Sequence, residues 1–320
     1  MEAFRGVLRT LSASLVLLLL SLPVYAQTVT GLQCGSFQEV GRFESPKIAE
    51  CSGLVVSRKN PGVLWVHNDS GDSARLFAVK EDGSLRGVFR LAHADAKDWE
   101  DLALGPCRNP RKECLYVGDI GDNMRHRRKI QIYRVEEPTV PLDGPTVRKK
   151  LKGTERFDCT YPDGPHDAEA LFVDPMAGIP YLVTKEPGDS AAFVYRLPGT
   201  RNHRKVVTLE KVATIPSRSS VTGGDITRDG SMIVLRDYFF AYGYFRPHRG
   251  KISEAFGLPA RCVPLSMEEQ GESLGISPSG NEIYTASEGV DGPIHKAECT
   301  LVRRKATPLG KSAGGGNGIE

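Results

Sequence analysis

Five times along this chain a short segment places an acidic or small residue, then one further residue, then Leu or Ile at the opening of a β-branched run. The segments are Glu50-Cys51-Ser52-Gly53-Leu54, Asp98-Trp99-Glu100-Asp101-Leu102, Asp167-Ala168-Glu169-Ala170-Leu171, Thr222-Gly223-Gly224-Asp225-Ile226 and Gln270-Gly271-Glu272-Ser273-Leu274. Such a repeat constrains the fold before any single motif is read, because each unit buries its apolar face only against a copy of itself. The anchors at 54, 102, 171, 226 and 274 lie 48, 69, 55 and 48 residues apart. Each interval holds several short β-branched or aromatic runs punctuated by Gly, Pro, Asp and Asn, which is the pattern of a four-stranded blade and not of a helical repeat. The first interval reads as strands over 53–57, 63–67, 75–79 and 87–91, and the third as strands over 171–174, 181–184, 193–197 and 206–213. The fold expected is all-β, a five-bladed β-propeller.

The fifth repeat offers strands near 273–277, 282–286 and 295–302 and then runs into the Gly-rich residues 305–320, too poor in apolar side chains to order themselves. Its missing outer strand is available from the N-terminal run 37–43, which would close the ring and hide two exposed edges. That closure sets Cys34 beside Cys299. Cys107 and Cys114 bracket a Pro- and Arg-rich turn between two expected strands and form the other pair anticipated. With seven cysteines, at least one thiol is left over, and no C-x2-C spacing points to zinc.

Residues 1–26 carry Arg5 and Arg9, an apolar run from Leu15 to Leu22 and Val24-Tyr25-Ala26 before Gln27, the layout of a secretory signal peptide. This divides the chain into a signal peptide (1–26), a propeller (27–304) and a tail (305–320), and predicts a secreted or periplasmic protein in a disulfide-permissive compartment with no membrane span. The 42 Lys and Arg side chains nearly balance 39 Asp and Glu, so charge argues against a nucleic-acid partner.

In a propeller the innermost strand of each blade begins at the end of the ring where the second strand finishes. Two sets of residues should therefore converge at one channel mouth. One is Ser52, Glu100, Glu169, Thr222 and Glu272, and the other is Asp69, Asp119, Glu186, Asp237 and Glu288, with His67, Lys185 and Arg236 alongside. Crowded carboxylates need a counter-charge. Calcium, a hard cation taking six to eight oxygen ligands, suits three glutamates and two hydroxyls, so the first set is read as its ligands. The second set, with His67, Lys185 and Arg236, is read as a ligand-binding face.

The sequence Ser52, Glu100, Glu169, Thr222, Glu272, in its Ser-Gly-Leu, Glu-Asp-Leu, Glu-Ala-Leu and Glu-Ser-Leu contexts, resembles the SdiA-regulated β-propellers of the bacterial envelope. The same alternation of hydroxyl and glutamate is similar to that of the five-bladed calcium-activated nucleotidases, or apyrases, and implies a central calcium. A looser similarity links the repeat to the esterase-like phytases, which repeat Glu-Gly-Leu or Glu-Gly-Ile at strand starts. The resemblance spans about residues 36–300, and Thr222 departs from the Ser usual at its place.

Other motifs carry less. Gly271-Glu272-Ser273-Leu274-Gly275 satisfies G-x-S-x-G but lies in a repeat strand, not at the strand-turn-helix a nucleophile elbow needs. His67 and His166, beside the acidic sets, are candidates for proton transfer together with Asp119, Lys185 and Arg236. The loop 118–128 mixes oxygen donors with cations, a combination that could hold a second ion or an anionic ligand, and is read in preference as a solvated turn. Two functions are consistent with these residues. The first is an exported calcium-binding propeller that recognises a small polar molecule or an envelope or extracellular protein. The alternative is a metal-dependent phosphoester or phosphoanhydride hydrolase.

Overall fold

The computed structural model describes residues 27–186, 190–199, 205–216, 221–248 and 250–305; the proposed signal peptide and nearly all of the tail lie outside them. Five sheets, antiparallel except for two outermost strands, form a five-bladed β-propeller, and among the described residues the single helix is the short turn Ile252–Ala255. The inner strands are Cys51–Val56, Trp99–Pro106, Ala168–Asp174, Gly223–Ile226 and Gly271–Ile276 for blades 1 to 5. Each packs against the next, and the fifth returns to the first. The anchor side chains Leu54, Leu102, Leu171, Ile226 and Leu274 are buried, and five apolar clusters fill the five gaps between successive blades.

Blade 5 contains both ends of the described chain. Its long third strand, Pro293–Lys305, pairs with Gln38–Arg42 along its first part and with Gln27–Cys34 along the rest. The expected closure is present, with a second N-terminal strand added to it. The Cys34–Cys299 and Cys107–Cys114 disulfides are both formed, while Cys51 and Cys159 are buried thiols and Cys262 is exposed.

Two strands depart from the sequence expectation. Val147–Leu151 leaves blade 2 to pair in parallel with Leu85–Leu91, the outer strand of blade 1. Val207–Thr208 leaves blade 3 to pair in parallel with Glu155–Thr160 of blade 2. The run read as one strand over 206–213 is therefore two: its start belongs to the neighbouring blade, and Glu210–Pro216 forms the outer strand of blade 3.

Every inner strand is hydrogen-bonded to its own sheet on one side only. Its other edge brings backbone donors into the interior, where each needs an acceptor. Asp101, fully buried, accepts from its neighbour Leu102 N at 2.8 Å, from Leu171 N of blade 3 at 2.7 Å and from Gly224 N of blade 4 at 3.2 Å. Asp225 repeats the device, accepting from Ile226 N at 2.7 Å and from Ile276 N of blade 5 at 2.9 Å. Asp101→Ala leaves two donors from other blades unsatisfied, at about 1–3 kcal/mol each. Blade 3 already carries Ala170 one residue before its anchor, so the smaller side chain itself fits this register. Thermal melting should show the loss as a lower Tm, with Asp225→Ala costing less because it strands one inter-blade donor.

Candidate functional site

Pairing register fixes the geometry of the mouth. Cys51 lies opposite Asn68, Trp99 opposite Asp119, Ala168 opposite Thr184 and Gly271 opposite Ser287, so inner-strand starts and second-strand ends meet at one end of the ring. In those four blades the register skips one residue of the inner strand: Ser52, Glu100, Glu169 and Glu272. Four of the five residues read as metal ligands thus occupy the extra position of a β-bulge, which re-aims a side chain out of the ladder. Blade 4 has no bulge, and Thr222 stands just ahead of its strand, its hydroxyl donating to the Gly271 carbonyl at 3.3 Å. The Ser52 hydroxyl donates to the Glu100 carbonyl at 2.5 Å.

The carboxylates gather around Glu100. Oxygens of Asp69, Asp98 and Glu100 lie within 4.8 Å of one another, as do oxygens of Glu100, Asp167 and Glu169. Glu272 extends the group toward Glu169 and hydrogen-bonds Glu288. Asp98 and Asp167 belong to this cluster, yet reading one residue per repeat overlooked them. Their signal is the Asp-x-Glu spelling of Asp98-Trp99-Glu100 and Asp167-Ala168-Glu169. Gly121 forms part of the wall, and a β-carbon there would collide with Glu100 Oε1 and Asp98 Oδ2.

Burial, the first cause in each case, and neighbouring carboxylates raise Asp69, Asp98, Glu100, Asp167, Glu169 and Glu288 above the usual carboxylate range. Asp69 is pushed up to about 7 by burial and by Asp98, Glu272 and Glu50. Burial, then Glu169 and Asp69, raises Glu100 well above the usual range. Glu169 is pushed up to about 8 by burial and Glu272 despite Lys185, and Glu288 to about 9 by burial and Glu272. The ion pair that reaches the cluster is Lys185 Nζ to Glu169 Oε1 at 2.7 Å. Asp69 Oδ1 is buried with no hydrogen-bond partner.

The loop read as a solvated turn is anchored at its base. Asp122 N donates to Asp167 Oδ1 at 2.8 Å, Arg127 pairs with Asp119 at 2.6 Å, and Arg125 reaches Glu186 at 2.7 Å, while Asn123, Met124, Arg125, His126 and Arg128 stay exposed, as a solvated turn requires. Asp119 is consequently a brace for this loop, raised by burial and held back by Arg127. Asp237 caps a turn, accepting from Phe239 N and Phe240 N at 2.7 Å and from the Tyr242 hydroxyl at 2.7 Å.

Of the residues read as the ligand face, His67, Asp119, Glu186, Arg236 and Asp237 are buried, and His67 and Arg236 lie among packed side chains. His67 is fully buried against Trp99 with Nδ1 2.8 Å from the Asn68 carbonyl, and burial drops it to about 4, leaving it neutral. Arg236 is fully buried between blades 4 and 5, paired with Glu268 at 2.9 Å and donating to the carbonyls of Ser273 and Asp237. Both were placed at the mouth by strand position, which does not register which way a side chain turns. His166 has a different setting, with Nε2 3.1 Å from Asp163 and 3.0 Å from the Tyr195 hydroxyl, and Nδ1 3.6 Å from Glu186. The Ser273 hydroxyl is buried and donates to the Ala286 carbonyl at 3.1 Å.

No family model and no curated protein matches the sequence. Among solved structures, the chain is similar to a putative oxidoreductase (glucose dehydrogenase) of Thermus thermophilus. The match has 13% identity and a TM-score of 0.44, and it covers 83% of this chain and 100% of that one. At that likeness nothing about activity or site is carried over.

The folded protein binds more protons at the mouth than the unfolded chain, whose carboxylates titrate near 4. The stability this adds to the cation-free protein should therefore be fully present below about pH 4 and decline above it. It should fall as pH rises through the values of Asp69, Glu169 and Glu288, from about 7 to about 9. Melting in chelator at pH 5, 7 and 9 checks this, and a Tm that rises steadily across the series would contradict it.

Proposed function

We propose that the protein is an exported calcium-binding propeller whose carboxylate mouth holds the ion and presents a polar face to a small ligand or an envelope or extracellular protein. One observation carries the reading: the bulge glutamates of blades 2 and 3, Glu100 and Glu169, converge with Asp69, Asp98 and Asp167, and the Lys185 ammonium contacts Glu169. The donors are all oxygen, which fits a hard divalent cation, and Asp69 Oδ1 lacks any other partner. Asp69, Asp98, Glu100, Asp167, Glu169 and Glu272 would supply the ligands. Ser52 and Thr222 would brace their strands through the hydroxyl contacts described above. The ion would balance the carboxylate charge and tie together blades 1, 2, 3 and 5. The Ser/Glu alternation shared with SdiA-regulated propellers and apyrases agrees with this, as do two disulfides with an oxidising compartment.

Recognition of a ligand would fall to the rim: Lys185, the Tyr238 ring 6.0 Å from its ammonium, Arg125 with Glu186, and Asp69 with Glu288. Hydrolysis of a phosphoester has less support, because Lys185, Arg127 and Arg236 are each already paired with a carboxylate.

Calcium at 100 times its Kd contributes about 2.7 kcal/mol, which in a domain of this size raises Tm by roughly 5–10 °C. Glu100→Gln should abolish most of that rise and Glu169→Gln part of it, as read by melting curves with chelator and with added calcium. Equal curves with and without calcium, together with no heat of calcium binding in calorimetry, would refute the metal assignment. Gly121→Ala should weaken calcium binding about tenfold or more by displacing the Glu100 carboxylate, while leaving the disulfides and the fold intact.

A further inference from the structure

The connection between the third and fourth strands of a blade has a recurring task in this fold. In blade 2 it sends Val147–Leu151 to the outer edge of blade 1, and in blade 3 it sends Val207–Thr208 to the outer edge of blade 2. Each time the travelling segment also fills the outer part of the gap between the two blades, with Val140, Val147 and Leu151 in the first case and Val207 and Leu209 in the second. The same connection in blade 4 instead forms the turn Ile252–Ala255, which packs Ile252, Ala255 and Phe256 into the gap between blades 3 and 4. Among the described residues no strand covers the outer edge of Glu210–Pro216.

At the end of that strand, where Ile215 and Pro216 reach it, lies a cleft of about 800 Å³ between blades 3 and 4, walled also by Phe240, Tyr242, Phe256 and Leu258. Phe240 is 39% exposed and Leu258 48%. Its volume is that of a ligand site and its walls are apolar and aromatic. An open strand edge beside an apolar trough is what β-strand addition needs: backbone groups pair along the edge and alternate side chains enter the trough.

We propose that this cleft receives an extended segment of a partner protein, with apolar or aromatic side chains at alternate positions, which adds to Glu210–Pro216 as the fifth strand that blade 3 lacks. The occupant is an extended polypeptide because strands from this chain's own connections fill the two equivalent places. The assignment is independent of any metal at the mouth, since none of the carboxylates proposed as its ligands lines the cleft.

The test uses the full chain and a fluorescein-labelled nonapeptide with Val and Phe alternating with Thr and Lys. Its control has the same side chains but is N-methylated at every second amide. Anisotropy should show the first peptide saturating below about 1 mM, with the N-methylated peptide and the Leu258→Glu variant each weakening binding about tenfold or more. Amide exchange of Glu210–Pro216 should slow about tenfold when the peptide is bound. Phe240→Ser serves as the second variant if Leu258→Glu lowers Tm. No binding up to about 1 mM overturns the proposal. So does equal binding of the N-methylated peptide, or of a naphthalene sulfonate dye, without slower exchange in that strand, because the cleft would then take apolar groups with no strand added.

Discussion

The inner strands present unpaired backbone donors to the interior of the ring, and the rest of the architecture depends on how those donors are satisfied. Asp101 answers for two of them from different blades with one oxygen, so a single carboxylate ties blades 2, 3 and 4. Asp225 ties blade 4 to blade 5, and the hydroxyls of Ser52 and Thr222 tie blade 1 to blade 2 and blade 4 to blade 5. A buried carboxylate is costly, and burial raises Asp101 well above its usual range even against three amides. The compensation is geometric: inner strands held by shared acceptors keep a fixed spacing, and the residues just ahead of them keep a fixed relation to one another.

The crowding at the mouth follows from that regularity. A bulge at the same register position in four blades turns the same position of each inner strand out of its ladder. Where that position holds Glu, in blades 2, 3 and 5, carboxylates from separate blades meet whatever lies between them in sequence. Lys185 pairs with Glu169, and the raised pKa values of Glu100, Glu169 and Glu288 record burial first and then the repulsion that remains. Blade 4, with no bulge and two glycines, contributes no charge. The acidic cluster is accordingly lopsided, centred on the blades 2 and 3 side near Glu100.

The blade count and the two disulfides were legible because they depend on local patterning and on one closure rule. The anchor positions repeat, the turns carry Gly, Pro and Asp, and Cys34 can meet Cys299 only if the ends share a blade. The clasping strands were not legible. Val147–Leu151 reads Val-Arg-Lys-Lys-Leu, with no alternation of apolar and polar residues, and its pairing is settled by an edge some sixty residues earlier. The site was legible by position and less so by direction. Ser52, Glu100, Glu169 and Glu272 share a register that the repeat spells out, whereas the burial of His67 and Arg236 is decided by Trp99 and Glu268, distant in sequence. Asp98 and Asp167 were within the repeat segments and were passed over only because each blade was allotted one ligand.

Blade 5 places a constraint on how the molecule comes to exist. Its outer strands are the first described residues of the chain and its long third strand is the last, and they are cross-linked at a sequence separation of 265. Gln27–Cys34 has no partner until Pro293–Lys305 has been made, so four blades can assemble while the ring remains open. The final pairing closes the longest loop in the protein and gates everything that requires a complete circle, including the meeting of Glu272 with Glu169 and the burial of Leu54 against blade 5. Until that step the first strand is an unprotected β-edge, and a chain cut short anywhere before its last strand would keep it so.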